Sequence, residues 1–346
     1  MTWLAWRRHR TLFVVAVALV VGLALWMLLV VHWYDAAPFV RVGLPGQRGP
    51  RYRDLTAGSA PFRLSYQIEA IRLLLLTVPC ILGVLVGVPL VAGELTAHTN
   101  RLAWTQGIGR TRWLATKWLV PGLPLVALAG GLVALTDWWT HHVGRVAFGS
   151  IAGPFAISFG LGGNSRIEPA TYTVTGLVPV AYSVFAFALG CALGALLRRV
   201  TWATVASVAV YAVALFTMVT TVRPVLAPQT FVPFNAGYPA GFEEALARGA
   251  TPWDLGSVAR FVPGYTPPAG TRPPTAIVAS CDNFVGAGDP SSIIGHCYAV
   301  HHVQAGEAFQ LASHYWTLQW RESALLLAVA LVLCTLAWWA VRRWRA

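Results

Sequence analysis

Charge is scarce in this chain. Only 11% of its 346 residues are Asp, Glu, Lys or Arg, against roughly 25% in an ordinary soluble domain. With hydrophobic residues at 56%, the shortage excludes a water-soluble globule and indicates a chain that crosses a bilayer several times. Lysine is rarer still: Lys117 is the only one, and arginine supplies the other 24 of the 25 basic residues. A phosphate-binding loop needs Gly directly before Lys, and Lys117 follows Thr116, so any ATP that powers this protein has to be bound by another chain. Gly-x-Ser-x-Gly and His-Glu-x-x-His patterns are missing too, which removes the common hydrolase and zinc-protease readings. No metal site and no catalytic residue is assigned. The net charge of +12 raises the question of nucleic acid. No basic stripe runs along a soluble face, and the arginines collect beside apolar runs, as orientation signals do.

Six apolar runs are present, at about 12–31, 73–92, 118–136, 174–197, 201–222 and 323–341. Each is long enough to span roughly 30 Å of hydrocarbon at ~1.5 Å per residue. Backbone groups in lipid must bond within their own segment, so helices are expected and the fold class is all-α and polytopic. The first run is too long for a signal-peptide core and is read as an uncleaved span. Placing the amino end in the cytoplasm leaves inner segments with twelve Lys or Arg and the single acid Glu94. Both termini are therefore expected in the cytoplasm, with the chain in an inner membrane. Residues 223–322 become a large outer loop or small ectodomain, whose proline content argues against much regular structure. The short apolar stretch 146–160 is expected on the outer face, as a partly buried or re-entrant element. None of the six runs, as bounded here, contains a charge, which argues against a proton-coupled carrier.

Gly83-x-x-x-Gly87 and Gly190-x-x-x-Gly194 let helices approach closely, most simply within one bundle. Cys80, Cys191 and Cys334 fall within spans and read as small packing residues. Cys281 and Cys297 share the outer loop, and the pair predicts a disulfide in an oxidising compartment. Trp33, Trp118, Trp320 and Trp344 sit at run ends, where an aromatic belt is expected.

The most polar connection is the segment 93–117, which begins Gly93-Glu94 and carries four of the basic residues. Two readings stay open from its residues alone: a docking helix on the membrane face, or a simple positive-inside loop anchored by Trp104 and Trp113. Its order of Glu94, "HT", "RLAWTQ", "RTRWL" and Lys117 resembles the cytoplasmic connection of permease subunits in bacterial ATP-binding-cassette exporters of the type-two export family. "SHYWTLQWRES" before the last span is similar to that branch's aromatic entry, with Trp316, Gln319 and Glu322 on its positions. "VPVAYSVFAFALGCALGALLRR" is similar to its fourth span. The chain departs from the pattern at Gly93, Thr96 and His98.

The resemblance implies a six-span subunit that pairs with a second copy or a related permease. It would bind separate ATPase subunits, which carry the ATP and Mg; no cofactor is expected on this chain. The 93–117 segment would be a short coupling helix, with Glu94, Arg101, Trp104, Gln106, Arg110 and Arg112 as contact candidates. The competing reading is a membrane-embedded enzyme or sensor that works through its outer loop.

Overall fold

A computed structural model of the chain describes residues 2–36, 40–42, 52–54, 59–96, 109–143, 146–147, 169–227, 230–233, 250–252, 258–261, 266–268, 271–282, 296–311 and 314–343. Among these, six helices are long and apolar enough to cross a membrane. Span one is Thr2–Ala36, span two Ser59–Thr96 and span three Arg110–Val143. Span four is Val178–Leu197, span five Val200–Leu226 and span six Tyr315–Arg343. Each expected run finds its helix. Prolines inside spans two and three, such as Pro79 and Pro121, do not end them, because a helix in lipid has no water to release its backbone groups to.

The helices overrun the expected boundaries. Span two starts at Ser59 rather than 73, and span six at Tyr315 rather than 323. The expectation that the spans contain no charge is therefore corrected. Arg72, Arg223 and Glu322 are all buried within helices, and Asp137 lies inside span three. A charge at the border of an apolar run reads as an end, yet a helix continues through a charge whose partner lies on a neighbouring helix. Span four is the exception and starts late. A short helix, Pro169–Val174, precedes it and a tight bend at 175–177 separates the two.

Packing centres on spans two and four. A Cβ placed on Gly83 would clash with the Ala186 Cβ and lie 2.6 Å from the Phe187 amide nitrogen, and one on Gly87 would lie 2.6 Å from the Phe187 carbonyl oxygen. From the other side, Gly190 and Gly194 face Val88 and Ala92. The two glycine pairs thus form one crossing within the bundle, where the backbones themselves touch. Around it lie two apolar clusters. One joins spans one, two, three and four and the Arg343 end of span six, with Met27, Leu90, Leu114, Cys191 and Ala337. The other joins spans two, four, five and six, with Val84, Tyr182, Tyr211 and Leu326. Trp113, expected as an interfacial anchor, is buried in the first cluster.

A two-residue link, Arg198-Arg199, joins spans four and five. Arg198 takes the left-handed conformation (φ 54°) and its amide donates to the Gly194 carbonyl at 3.2 Å.

Among the described residues, strands occur only between the spans. β1 (Val40–Val42) and β2 (Tyr52–Asp54) form an antiparallel pair after span one, and β3 (Val146–Ala147) joins β2 in parallel. The rest of the 146–160 stretch lies outside the described residues. Within 223–322 a second sheet forms, contrary to the expectation of little regular structure. Its strands are β4 (Thr230–Pro233), β5 (Ala250–Pro252), β6 (Val258–Phe261) and β7 (Val303–Leu311), all antiparallel to β7. Gly306 of β7 faces both β4 and β6, and Phe309 faces both β4 and β5. β4 therefore occupies one edge of β7, while β5 and β6 share the other. The prolines sit at strand ends, where no ladder donor is required: Pro233 closes β4 and Pro252 closes β5. The helix Pro274–Asp282 packs beside the sheet, and Cys281 is disulfide-bonded to Cys297 across a Cα separation of 5.9 Å. Ile277, Cys281 and Val303 form a small core there. Closing a loop of 16 residues is worth roughly 3 kcal/mol.

Candidate functional site

The most polar buried place among the described residues is where the ends of spans four, five and six meet. Arg223, in the last turn of span five, and Glu322, in the second turn of span six, are both 0% exposed. The guanidinium grips the carboxylate with two charge-assisted bonds: Nε donates to Oε2 at 2.9 Å and Nη2 donates to Oε1 at 2.8 Å. Tyr182 of span four donates its hydroxyl to Glu322 Oε1 at 3.1 Å. The ring of Tyr172, from the short helix, lies 4.4 Å from the Arg223 Cζ and adds a cation–π contact. Burial, and after it the charge on Glu322, pushes the Tyr172 phenol well above its ordinary value, so it stays protonated. Three spans and the short helix before span four thus converge on one ion pair. Its desolvation cost is offset only because both ends are fully engaged.

Gln319, one turn before Glu322, holds the break in front of span four. A helix start leaves amide hydrogens without partners, and Leu177, the N-cap residue, makes no side-chain cap bond. Gln319 Oε1 accepts from the amides of both Leu177 and Val178 at 2.9 Å. Its Nε2 donates to the carbonyls of Tyr172 at 3.3 Å and Thr175 at 3.2 Å. An uncharged side chain with a donor and an acceptor side by side is needed for this, and an amide supplies both. Gly176 makes the bend. Its φ of 69° suits glycine, and a Cβ there would lie 2.7 Å from the Tyr315 hydroxyl and 2.8 Å from the Gln319 side chain. Its amide donates to Asp137 of span three at 3.3 Å. The Tyr315 hydroxyl bonds the Thr175 hydroxyl at 3.1 Å, and Arg321 donates to the Leu226 carbonyl at the end of span five.

Chemically, the arrangement clamps rather than reacts. The carboxylate is already neutralised by a fixed guanidinium. Gln319 and Glu322 are central to it, whereas Trp316 of the same motif is exposed. Arg223, Tyr172, Tyr182 and Gly176 escaped the sequence reading. Their one signal was a basic residue and an acid bounding the expected fifth and sixth runs at the same membrane face.

The expected coupling residues are distributed differently. Glu94 lies in the last turn of the span-two helix, and Arg110 and Arg112 open the span-three helix. Arg101, Trp104 and Gln106 lie outside the described residues. At the opposite face, near the clamp, His142 meets Asp35 at 3.1 Å and stacks on Trp138, which ties the ends of spans one and three on the surface.

No curated protein and no solved structure matches this chain. A family model does. It covers residues 13–223, from the start of the first apolar run through the 93–117 connection to the arginine of the clamp. That is more than half of the chain, so this protein belongs to the ABC-2 membrane transporter related family.

Proposed function

We propose that the chain is the transmembrane subunit of an ATP-driven exporter and forms a translocation path with a second copy or a related permease. Separate ATP-binding-cassette subunits carry the ATP and Mg and dock on the 93–117 connection, with Glu94, Arg101, Trp104, Gln106, Arg110 and Arg112 as contacts. One observation carries this reading: the family match includes that connection together with the helices that flank it. Twelve cationic residues gathered with it at one face support a cytoplasmic position for the connection and both termini, in a bacterial inner membrane. A stiff element touching both bodies transmits force, and the connection leads into the span-three helix, whose first turn holds Trp113 against the core. Spans with largely apolar surfaces suit an apolar or amphipathic cargo.

The test is charge reversal of Arg110 and Arg112 to glutamate, read as ATP-dependent efflux and as recovery of an ATPase subunit with the tagged chain. Loss of efflux with normal membrane insertion is expected. Unchanged efflux would remove the coupling assignment. A chain that binds no ATPase subunit and shows hydrolytic activity of its own would instead favour an enzyme acting through residues 223–322.

A further inference from the structure

Span five is built in two unlike parts. From Val200 to Thr217 it is an α-helix whose buried residues are Ala203, Ser207 and Tyr211. These recur every fourth position, and with the partly buried Val200, Ala214 and Leu215 they form a single seam along which this leg touches the bundle. Two of the three are small, and the Ser207 hydroxyl is buried with no hydrogen-bond partner among the described residues. Large side chains such as Trp202, Val205, Val213 and Phe216 point away from the bundle.

From Met218 onward the situation reverses. Met218, Val219, Arg223, Pro224 and Ala227 are buried, and Arg223 is gripped by Glu322 on span six. Between the two parts lies a π-helical segment, Met218–Val222. The amide of Arg223 donates to the Met218 carbonyl, five residues back, so one residue more than an α-helical turn is accommodated directly beside the locked arginine. Such segments are short, pack their backbone less well than α-helix, and are where helices bend. Thr220 weakens the ladder further by directing its hydroxyl to the Phe216 carbonyl at 2.8 Å.

We propose that Met218–Val222 is the bending point of span five, about which the leg Val200–Thr217 swings on its Ala203–Ser207–Tyr211 seam, while Arg223, Glu322 and Gln319 are positioning residues that fix the far end to spans four and six. The clamp supplies the stationary side of the joint, and the π-segment supplies its compliance. The inference concerns the chain alone and holds or fails whether or not an ATPase drives the motion.

The experiment uses the full-length chain in lipid nanodiscs, with Cys80, Cys191 and Cys334 replaced by alanine and the Cys281–Cys297 disulfide kept. Spin-label pairs report two distances. One pair, at Val208 and Leu336, joins the swinging leg to span six. The other, at Val225 and Trp320, lies wholly on the clamped side; all four positions are exposed. The expected distance distribution for the first pair is about twice as wide as for the second, as a collective bend would produce. Equal widths in this otherwise intact chain would overturn the proposal without any further variant. Deleting Thr221 removes the extra residue and restores the α-helical ladder with both parts keeping their faces. The first pair should then narrow to the width of the second. A folded deletion variant whose first pair stays wide would equally overturn it.

Discussion

Spans two and four meet through absence of side chains, whereas spans five and six meet through charge. At the first junction Gly83 and Gly87 bring one backbone against Ala186 and Phe187 of the other, and no polar side chain is needed. At the second, Arg223 and Glu322 are wholly withdrawn from solvent and joined twice. The difference separates two kinds of tolerance. Close glycine packing gains many weak dispersion contacts and resists added volume. A buried ion pair tolerates some change in shape but not the loss of one partner, because the remaining charge has nowhere to go.

The sharpest way to break the comparison is at the ion pair. Glu322→Ala should lower the stability of the folded chain by about 3–5 kcal/mol, since it strands the Arg223 guanidinium in the bundle. Thermal unfolding in detergent would show the loss. The double replacement Arg223→Met with Glu322→Leu should recover most of it, and a double variant as unstable as the single one would contradict this account. The glycine crossing should respond less. Gly83→Ala adds a methyl where the Ala186 Cβ already stands, and overpacking of this kind costs about 1–3 kcal/mol. A matching fall in midpoint should accompany it, and Ala186→Gly in the same chain should relieve part of the cost. The smallest effect belongs to the surface pair. His142→Ala removes an exposed contact with Asp35, and exposed pairs of this kind contribute about 0–1 kcal/mol, so a midpoint within error of the parent is expected.

The two junctions also differ in how far the residues announce them. Both glycine pairs are legible because their members lie about one helix turn apart, on one face. The clamp is assembled from Tyr172, Tyr182, Arg223, Gln319 and Glu322, whose hydrogen-bonded pairs lie as far as 147 residues apart along the chain. A charge at the border of an apolar run looks like the end of a helix. Only its partner on another helix shows that the helix goes on. Gln319 and Glu322 were marked through a motif, without the break before span four that explains them. The sheet in 223–322 was missed for a similar reason. β4, β5 and β6 are three or four residues each and gain their pairing from β7, so none carries a strong local signal. For the expected coupling residues, the sequence marks a polar, basic connection, and the helix ends at Thr96 and Arg110 frame it.

The left-handed bend at Gly176 carries a consequence for descent. Any side chain there would strike Tyr315 and Gln319, and Gln319 earns its place only while the bend exists to be capped. The two positions, 143 apart, therefore form a single unit of inheritance: a lineage that loses the glycine should be free to lose the glutamine, and one that keeps either should keep both.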